Sequence, residues 1–521
     1  MNASAGAHRW NVADFGAVGD GKTLNTQPIQ RALDEAGKEG GGTVLVPPGT
    51  FLTGTVFLRS GVTLDLHPAA RVLGSPDLKD YASKAWGQHI DRTPWHLLVA
   101  AGVHDITIRG GGTIDGNGPA FWEPVVAGPE ARPEAAIPPG AFGGLDAIAA
   151  VTARQPDPKL AAISWIRARK EARPSPMIEI TGCRDVRIQD VHVTNSAGWV
   201  LHLHNSDLVW VRGVKLTANL MGPNNDGFDI TGCRDVMISD CYLSCCDDAI
   251  CLKTTPDSRS CERVAVTNCV IRTKCVALKF GSESFHDFRQ VTFSNCVVFG
   301  SSRAVGIYTK EGGTVEDVAI TNIVCDTKNP FMVNRPIHMD CRRGKDGSKL
   351  GRIRNVAISN LVLRTDGRIL LTGQPDAPLE NIVLRDLQVV YPTVDDPAIA
   401  AQRVTCGQFA NANPDARVAR GVVCAENINN LVLDNLMVTW PELDQAGAIR
   451  CPPDWFFPVK AVNGSFTDVF QRPEFNTGRV PDFHVVWGRR LRGGYIHAPL
   501  ARPAREGLAP YALTDSTISV R

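Results

Sequence analysis

Apolar and polar positions alternate along most of this chain in short runs, and the runs repeat. Ile180-Thr181-Gly182-Cys183-Arg184-Asp185-Val186 recurs unchanged at Ile230 to Val236, with a looser copy, Leu203-His204-Asn205-Ser206-Asp207-Leu208-Val209, between them. Further copies fall at residues 288–295, 315–322, 353–360, 379–386 and 428–434. Each reads as a turn, a short strand rich in Val and Ile, an Asn or Asp, and a second short strand. Period-two alternation sends one set of side chains inward and the other outward. A repeat of about 25 residues built from such strands predicts an all-β solenoid. Asn295, Asn322 and Asn360 stand at equivalent turns, where they are expected to stack as an amide ladder or to adopt the left-handed conformation.

The N-terminal pattern differs. Trp10 to Gly21 reads as a strand and a Gly-rich turn, and Thr26 suits an N-cap for a helix over residues 27–36, with Pro28 in its first turn. Such a helix would cap the open end of the solenoid. Gly40-Gly41-Gly42 follow the helix without the Gly-Lys-Ser/Thr of a phosphate loop, so they predict a tight turn. Residues 119–176, rich in Pro and Ala with helical stretches such as 159–170, interrupt the repeat as an insertion near the cleft. Beyond about Pro452 the pattern fades into an aromatic, Arg-rich tail. The domain reading is one solenoid over residues 8–460 carrying that insertion, then a C-terminal cap or extension over 461–521.

Lys and Arg total 55 against 54 Asp and Glu, a balance that gives no electrostatic reason to expect a nucleic-acid or membrane partner. No window approaches the roughly 18 apolar residues of a membrane span. The opening residues have neither the basic nor the apolar region of a leader, so a cytoplasmic location is the expectation, and a secreted one if a leader has been removed. Cys241, Cys269 and Cys296 occupy equivalent positions in Ser-Asp-Cys-Tyr, Thr-Asn-Cys-Val and Ser-Asn-Cys-Val. A repeating slot of that kind is an interior ladder in which Cys acts as a small hydrophobe. The paired Cys-x-x-Cys spacing of a metal site is missing.

The residues with chemistry to offer are Asp226, within Asn224-Asn225-Asp226-Gly227, and the doublet Asp247-Asp248, which follows it by 21 and 22 positions. Coils stack about 4.8 Å apart, so residues one turn apart become neighbours and three carboxylates are expected on one patch. Adjacent residues of a regular strand face opposite ways, so the doublet shares a face only at a bulge or strand end. Crowded carboxylates raise the pKa of at least one member. A protonated carboxyl beside an ionised one is the equipment of an acid–base hydrolase. Taken alone, an Asp-Asp pair more often serves a turn.

At these residues the chain resembles glycoside hydrolase family 28, the polygalacturonase-like right-handed parallel β-helices. Asp14-Phe15-Gly16-Ala17 and Gly19-Asp20-Gly21 resemble the N-terminal motif of that superfamily, Asn224-Asn225-Asp226 its N-T-D motif, and Asp247-Asp248 its D-D motif. The resemblance implies inverting hydrolysis, with Asp247 as general acid and Asp226 and Asp248 activating the water. The acid and base carboxyls are then about 6.5–9.5 Å apart. It implies no metal and no organic cofactor. Two motifs depart. Val276 stands where the family has a histidine, and the carboxylate-binding R-I-K is replaced by the stretch from Arg303 to Lys310. Lys253, Lys279, Glu283, Arg303, Tyr308 and Lys310 are the candidates for substrate contact, and Trp122 and Trp199 for stacking on sugars.

The expected protein is thus an inverting, exo-acting glycosidase of pectin-type poly- or oligosaccharides, with specificity changed from simple polygalacturonase. A polysaccharide lyase using a Lys or Arg base with Ca²⁺, and a non-catalytic carbohydrate-binding β-helix, are the alternatives on the same fold.

Overall fold

A computed structural model describes residues 8–86, 92–125, 165–168, 172–220, 222, 224–327, 335–344, 348–365, 367–391, 404–406, 419–440, 457–458, 468–471, 483–504 and 506–521. The chain divides into two compact units, Met1–Pro124 with Ile166–Ile271, and Val125–Trp165 with Arg272–Arg521. Each is a stack of parallel coils, and the fold is the expected right-handed parallel β-helix.

In the first unit one face of successive coils is formed by β1 (Leu98–Ala101), β2 (Ile178–Thr181), β3 (Leu201–His204), β4 (Phe228–Thr231) and β5 (Ile250–Thr254). They pair in parallel and in order, so equivalent residues lie abreast. Ile178, Leu201, Phe228 and Ile250 form one apolar column, and Ile180, Leu203, Ile230 and Leu252 a second. The alternate positions carry Glu179, His202 and Asp229 in one column and Thr181, His204, Thr231 and Lys253 in the other. The turn beyond this face needs one residue per coil in the left-handed region. Asp105, Asp185, Leu208, Asp235 and Arg263 supply it with φ from 53° to 57°, which accounts for the Asp in both copies of the repeated heptad.

The N-terminal helix α1 spans Thr26–Lys38 and buries Ile29, Ala32, Leu33 and Ala36. Its N-cap is Asn25, not Thr26. The Asn25 amide is spent on the preceding loop, accepting from the Val18 N–H (2.7 Å) and donating to the Val18 and Thr23 carbonyls. Thr26 Oγ1 instead accepts the Gly54 N–H at 2.8 Å. The glycine triplet does form a tight turn: at Gly41, φ is 118° and a Cβ would lie 2.4 Å from the Gly61 carbonyl oxygen.

In the second unit, long strands at Phe288–Phe299, Thr314–Thr327, Arg352–Thr365, Leu379–Val390, Gly421–Thr439 and His484–His497 stack in parallel. The last of these carries the coil pattern into the segment expected as a cap or extension. Trp165–Ala168 is a strand in a two-stranded sheet, where a helical stretch was expected over 159–170. Sheet pairing there overrides a weak helical preference. The remainder of that stretch lies outside the described residues.

Both expectations for the turn asparagines hold together. Asn295, Asn322 and Asn360 have φ of 53°, 55° and 58°. Asn322 Nδ2 donates to Asn295 Oδ1 (3.0 Å), and Asn360 Nδ2 to Asn322 Oδ1 (2.6 Å). Asn322→Ala loses both the left-handed tolerance and two amide bonds, so it should destabilise by about 2 kcal/mol. Asn322→Gly keeps the first and should cost roughly half as much. Urea unfolding of the two variants measures the split, and equal losses would show that the ladder alone matters.

Candidate active site

The acidic residues are gathered by the entry into β4 and β5. In Asn224-Asn225-Asp226-Gly227, each residue has a separate task. Asn224 takes a left-handed turn with φ of 50°. Buried Asn225 donates from Nδ2 to the Ser196 (3.1 Å) and Gly198 (2.9 Å) carbonyls, tying the turn to the preceding coil. Gly227 leaves room where a Cβ would sit 2.4 Å from the Ala249 carbonyl oxygen. Its N–H donates to the Asp248 carbonyl at 2.8 Å, which sets Asp226 and Asp248 abreast on adjacent coils. The doublet lies between the strand Tyr242–Cys245 and β5, at a strand end, where the sequence required it to be. Asp247 Oδ1 accepts the N–H of Asp248 at 3.0 Å. Asp226 and Asp248 are buried, whereas Asp247 is half-buried.

Lys253 crosses this patch from β5. Its Nζ lies 3.5 Å from both Asp226 Oδ2 and Asp229 Oδ1, and 4.3 Å from the centre of the Trp199 indole. Burial, together with the charges of Asp229, Asp247 and Asp248, holds the Asp226 carboxyl well above the ordinary carboxylate range, and Lys253 opposes them.

Beside the acids runs a buried polar network that strand alternation alone did not single out. Glu179 Oε1 receives Arg92 NH2 at 3.1 Å, and Glu179 Oε2 meets His202 Nδ1 at 2.8 Å. His202 Nε2 bonds Thr231 Oγ1 at 2.9 Å, and the His202 ring stacks with that of His204 at 5.6 Å. Burial raises the Glu179 carboxyl, with Arg92 opposing. Burial, His202 and Arg92 push His204 down to about 4. The signal that could have found Glu179, His202 and Asp229 is their shared slot on consecutive strands, visible only once the register is known. Trp199 and Trp122 are both buried, and Trp122 Nε1 donates to the Ala197 carbonyl at 2.9 Å. Packing, not an open sugar platform, is their state here.

The remaining candidates belong to the second unit. There β6 (Val276–Ser284), β7 (Arg303–Thr309) and β8 (Ile337–Cys341) stack in parallel. Lys279 lies abreast of Gly306 and His338, and Tyr308 abreast of Asp340. The Tyr308 ring folds back over Gly306, where a Cβ would come within 2.7 Å of it, and its hydroxyl meets His338 Nδ1 at 3.2 Å. Burial pushes the Tyr308 phenol up to about 12, while nearby Arg303, Lys279 and Arg335 act the other way. Lys279, Arg303 and Tyr308 are thus gathered, all buried, with Arg335, which lies outside the repeat and carried no sequence signal. Lys310 is instead drawn 3.3 Å from Glu311, whose other oxygen accepts from Ser284. Glu283 is half-buried near the end of β6.

The chain is a parallel β-helix with carboxylates assembled where its strands begin, and residues 9–65 match the rhamnogalacturonase A/epimerase, pectate lyase-like family. Residues 165–407 match the glycosyl hydrolases of family 28. A probable polygalacturonase of Vitis vinifera is 28% identical over 344 residues, covering 62% of each chain. The exo-poly-alpha-D-galacturonosidase of Dickeya chrysanthemi is 40% identical over 118 residues, covering 21% of this chain and 19% of that protein. The chain therefore spans less than two thirds of the length of either relative. In structure it is similar to an exopolygalacturonase of Thermotoga maritima, with a TM-score of 0.61 at 22% identity, covering 83% of this chain and 92% of the other.

The raised Asp226 carboxyl has a consequence for stability. The folded protein holds that proton more tightly than the unfolded chain does. The associated stability is complete below the unfolded carboxylate range and is lost as pH rises through the folded value. Asp226→Asn cannot ionise, so its melting temperature should exceed the wild-type value at neutral pH, with the gap closing below about pH 4. Calorimetry across that range checks it, and a gap independent of pH would mean that burial does not strain this carboxylate.

Proposed function

We propose that this protein is an inverting glycoside hydrolase of pectin-type poly- or oligosaccharides, acting on chain ends. The observation that carries the reading is the convergence of Asp226, Asp247 and Asp248 on adjacent coils within the stretch that matches the family 28 glycosyl hydrolases. Asp247, the most accessible of the three, protonates the leaving glycosidic oxygen. Asp226 and Asp248 hold the water on the opposite face of the sugar and take its proton, so the glycosyl centre inverts. Action on chain ends is supported by the segment before β1. Arg92, buried, ties that segment to Glu179 in the polar column and to the Trp86 carbonyl.

Wild type and Asp247→Asn are to be compared on pectic and neutral oligosaccharides, following new reducing ends, ultraviolet absorbance and the anomer first released. Reducing ends without absorbance, an inverted anomer, and a loss of about 10²–10⁴-fold in the variant are expected. Absorbing, unsaturated products would make the protein a lyase. Undiminished cleavage by the variant would remove Asp247 from the acid role.

A further inference from the structure

Four carboxylates face one another at the mouth of the β4–β5 pair. Asp226 and Asp229 come from the β4 coil, and Asp247 and Asp248 from the turn before β5. Three of them, Asp226, Asp229 and Asp248, are buried. A buried carboxylate beside like charges tends to take up a proton, yet a residue that accepts a proton from water must be ionised when substrate binds. The cation that meets this conflict is Lys253. It is not at the rim, where a lysine would meet solvent and sugar. It is 4% exposed, its ammonium bridges Asp226 and Asp229 at 3.5 Å each, and the Trp199 indole face supports it from the side at 4.3 Å. Trp199 is itself held in place: its backbone N–H donates to Ser175 Oγ at 3.1 Å, and its ring packs 5.5 Å from His202, which Glu179 and Thr231 fix at both nitrogens. The ammonium therefore sits in a prebuilt seat, and an aromatic face adds to its attraction where water is excluded.

We propose that Lys253, expected from the sequence to contact substrate, is instead a positioning residue, whose ammonium holds the Asp226 carboxylate ionised and aimed at the water. Asp229 serves as the second anchor of that ammonium, and Trp199 as its seat. The proposal rests on the hydrolytic reading for its kinetic test but not for its titration test.

The experiment follows the protonated-carboxyl infrared band of Asp226 against pH in isotope-labelled protein, assigned by its loss in Asp226→Asn. Wild type, Lys253→Met, Lys253→Arg and Trp199→Phe are compared. In Lys253→Met the band should persist to higher pH by about one unit or more, the scale of one opposite charge at this range. Lys253→Arg should restore most of the wild-type titration, and Trp199→Phe should shift it less, in the same direction. On oligogalacturonides, kcat/KM of Lys253→Met should fall about tenfold at the acid end and recover as pH rises, with kcat affected more than KM. A lysine that merely packs would lower the melting temperature and leave the titration where it was, and that result overturns the proposal. A loss confined to KM would return Lys253 to substrate contact and overturn it as well. If wild type cleaves no oligosaccharide, the hydrolytic reading fails while the titration still decides the lysine. Should Lys253→Met not fold, Lys253→Arg and Trp199→Phe carry the same titration, and no shift in Trp199→Phe counts against the seat.

Discussion

Within each unit the described coils are hydrogen-bonded edge to edge in a parallel ladder, and that single constraint dictates what each position can be. Parallel pairing in register puts like positions abreast at about 4.8 Å, so a residue's nearest neighbours are its counterparts one coil away. Apolar columns follow directly. So does the alternation of charge at the strand ends: Arg184, Asp207, Arg234 and Glu262 are abreast in the first unit, and Arg289, Glu316, Arg354 and Glu380 in the second. Arg289 Nε and Arg354 Nε both bind Glu316, at 2.8 and 2.7 Å. Each exposed pair contributes little on its own, but like charges in those slots would repel along a whole column.

The same constraint concentrates the acids. A turn that repeats at every coil can present one carboxylate from each, and Gly227 permits the backbone approach that brings Asp226 beside Asp248. Such crowding makes chemistry available at the expense of stability, which is why the neighbourhood contains an anchored lysine and a fully bonded Glu179–His202–Thr231 chain. Local destabilisation at Asp226 and rigidity around it are two aspects of one arrangement.

Much of this was readable before any coordinates. The heptad shared by Ile180–Val186 and Ile230–Val236 survives because a stacked column tolerates few residue types, and its Asp is held by a left-handed corner. The acid trio was readable because a one-coil separation in sequence is a one-strand separation in space. What escaped depends on information that periodicity does not carry. Asn25 takes the cap position without a side-chain cap bond because its amide ties down the loop of residues 18–23, while Thr26 Oγ1 accepts the Gly54 N–H. Arg92 and Arg335 lie in connections between strands, where no repeat predicts position. The burial of Trp199 and Lys253 comes from their packing on one another, a relation between coils that neither residue reveals alone.

The cysteine ladder has a bearing on how this protein is made. Thirteen described cysteines are free thiols, and all but Cys246 are buried. Burial drives Cys261 up to about 12, and burial with the Asp340 and Asp376 charges drives Cys341 up to about 11, leaving scarcely any thiolate at either. Once folded, the twelve buried thiols among the described residues are shielded from oxidants. Before folding, the same thiols are mutually accessible along a slow-forming stack of non-local contacts, and any bond between two of them would block the column that one must enter. For these thiols, assembly is therefore a race between closure and oxidation, and a reducing milieu matters to them most while the coils are still forming.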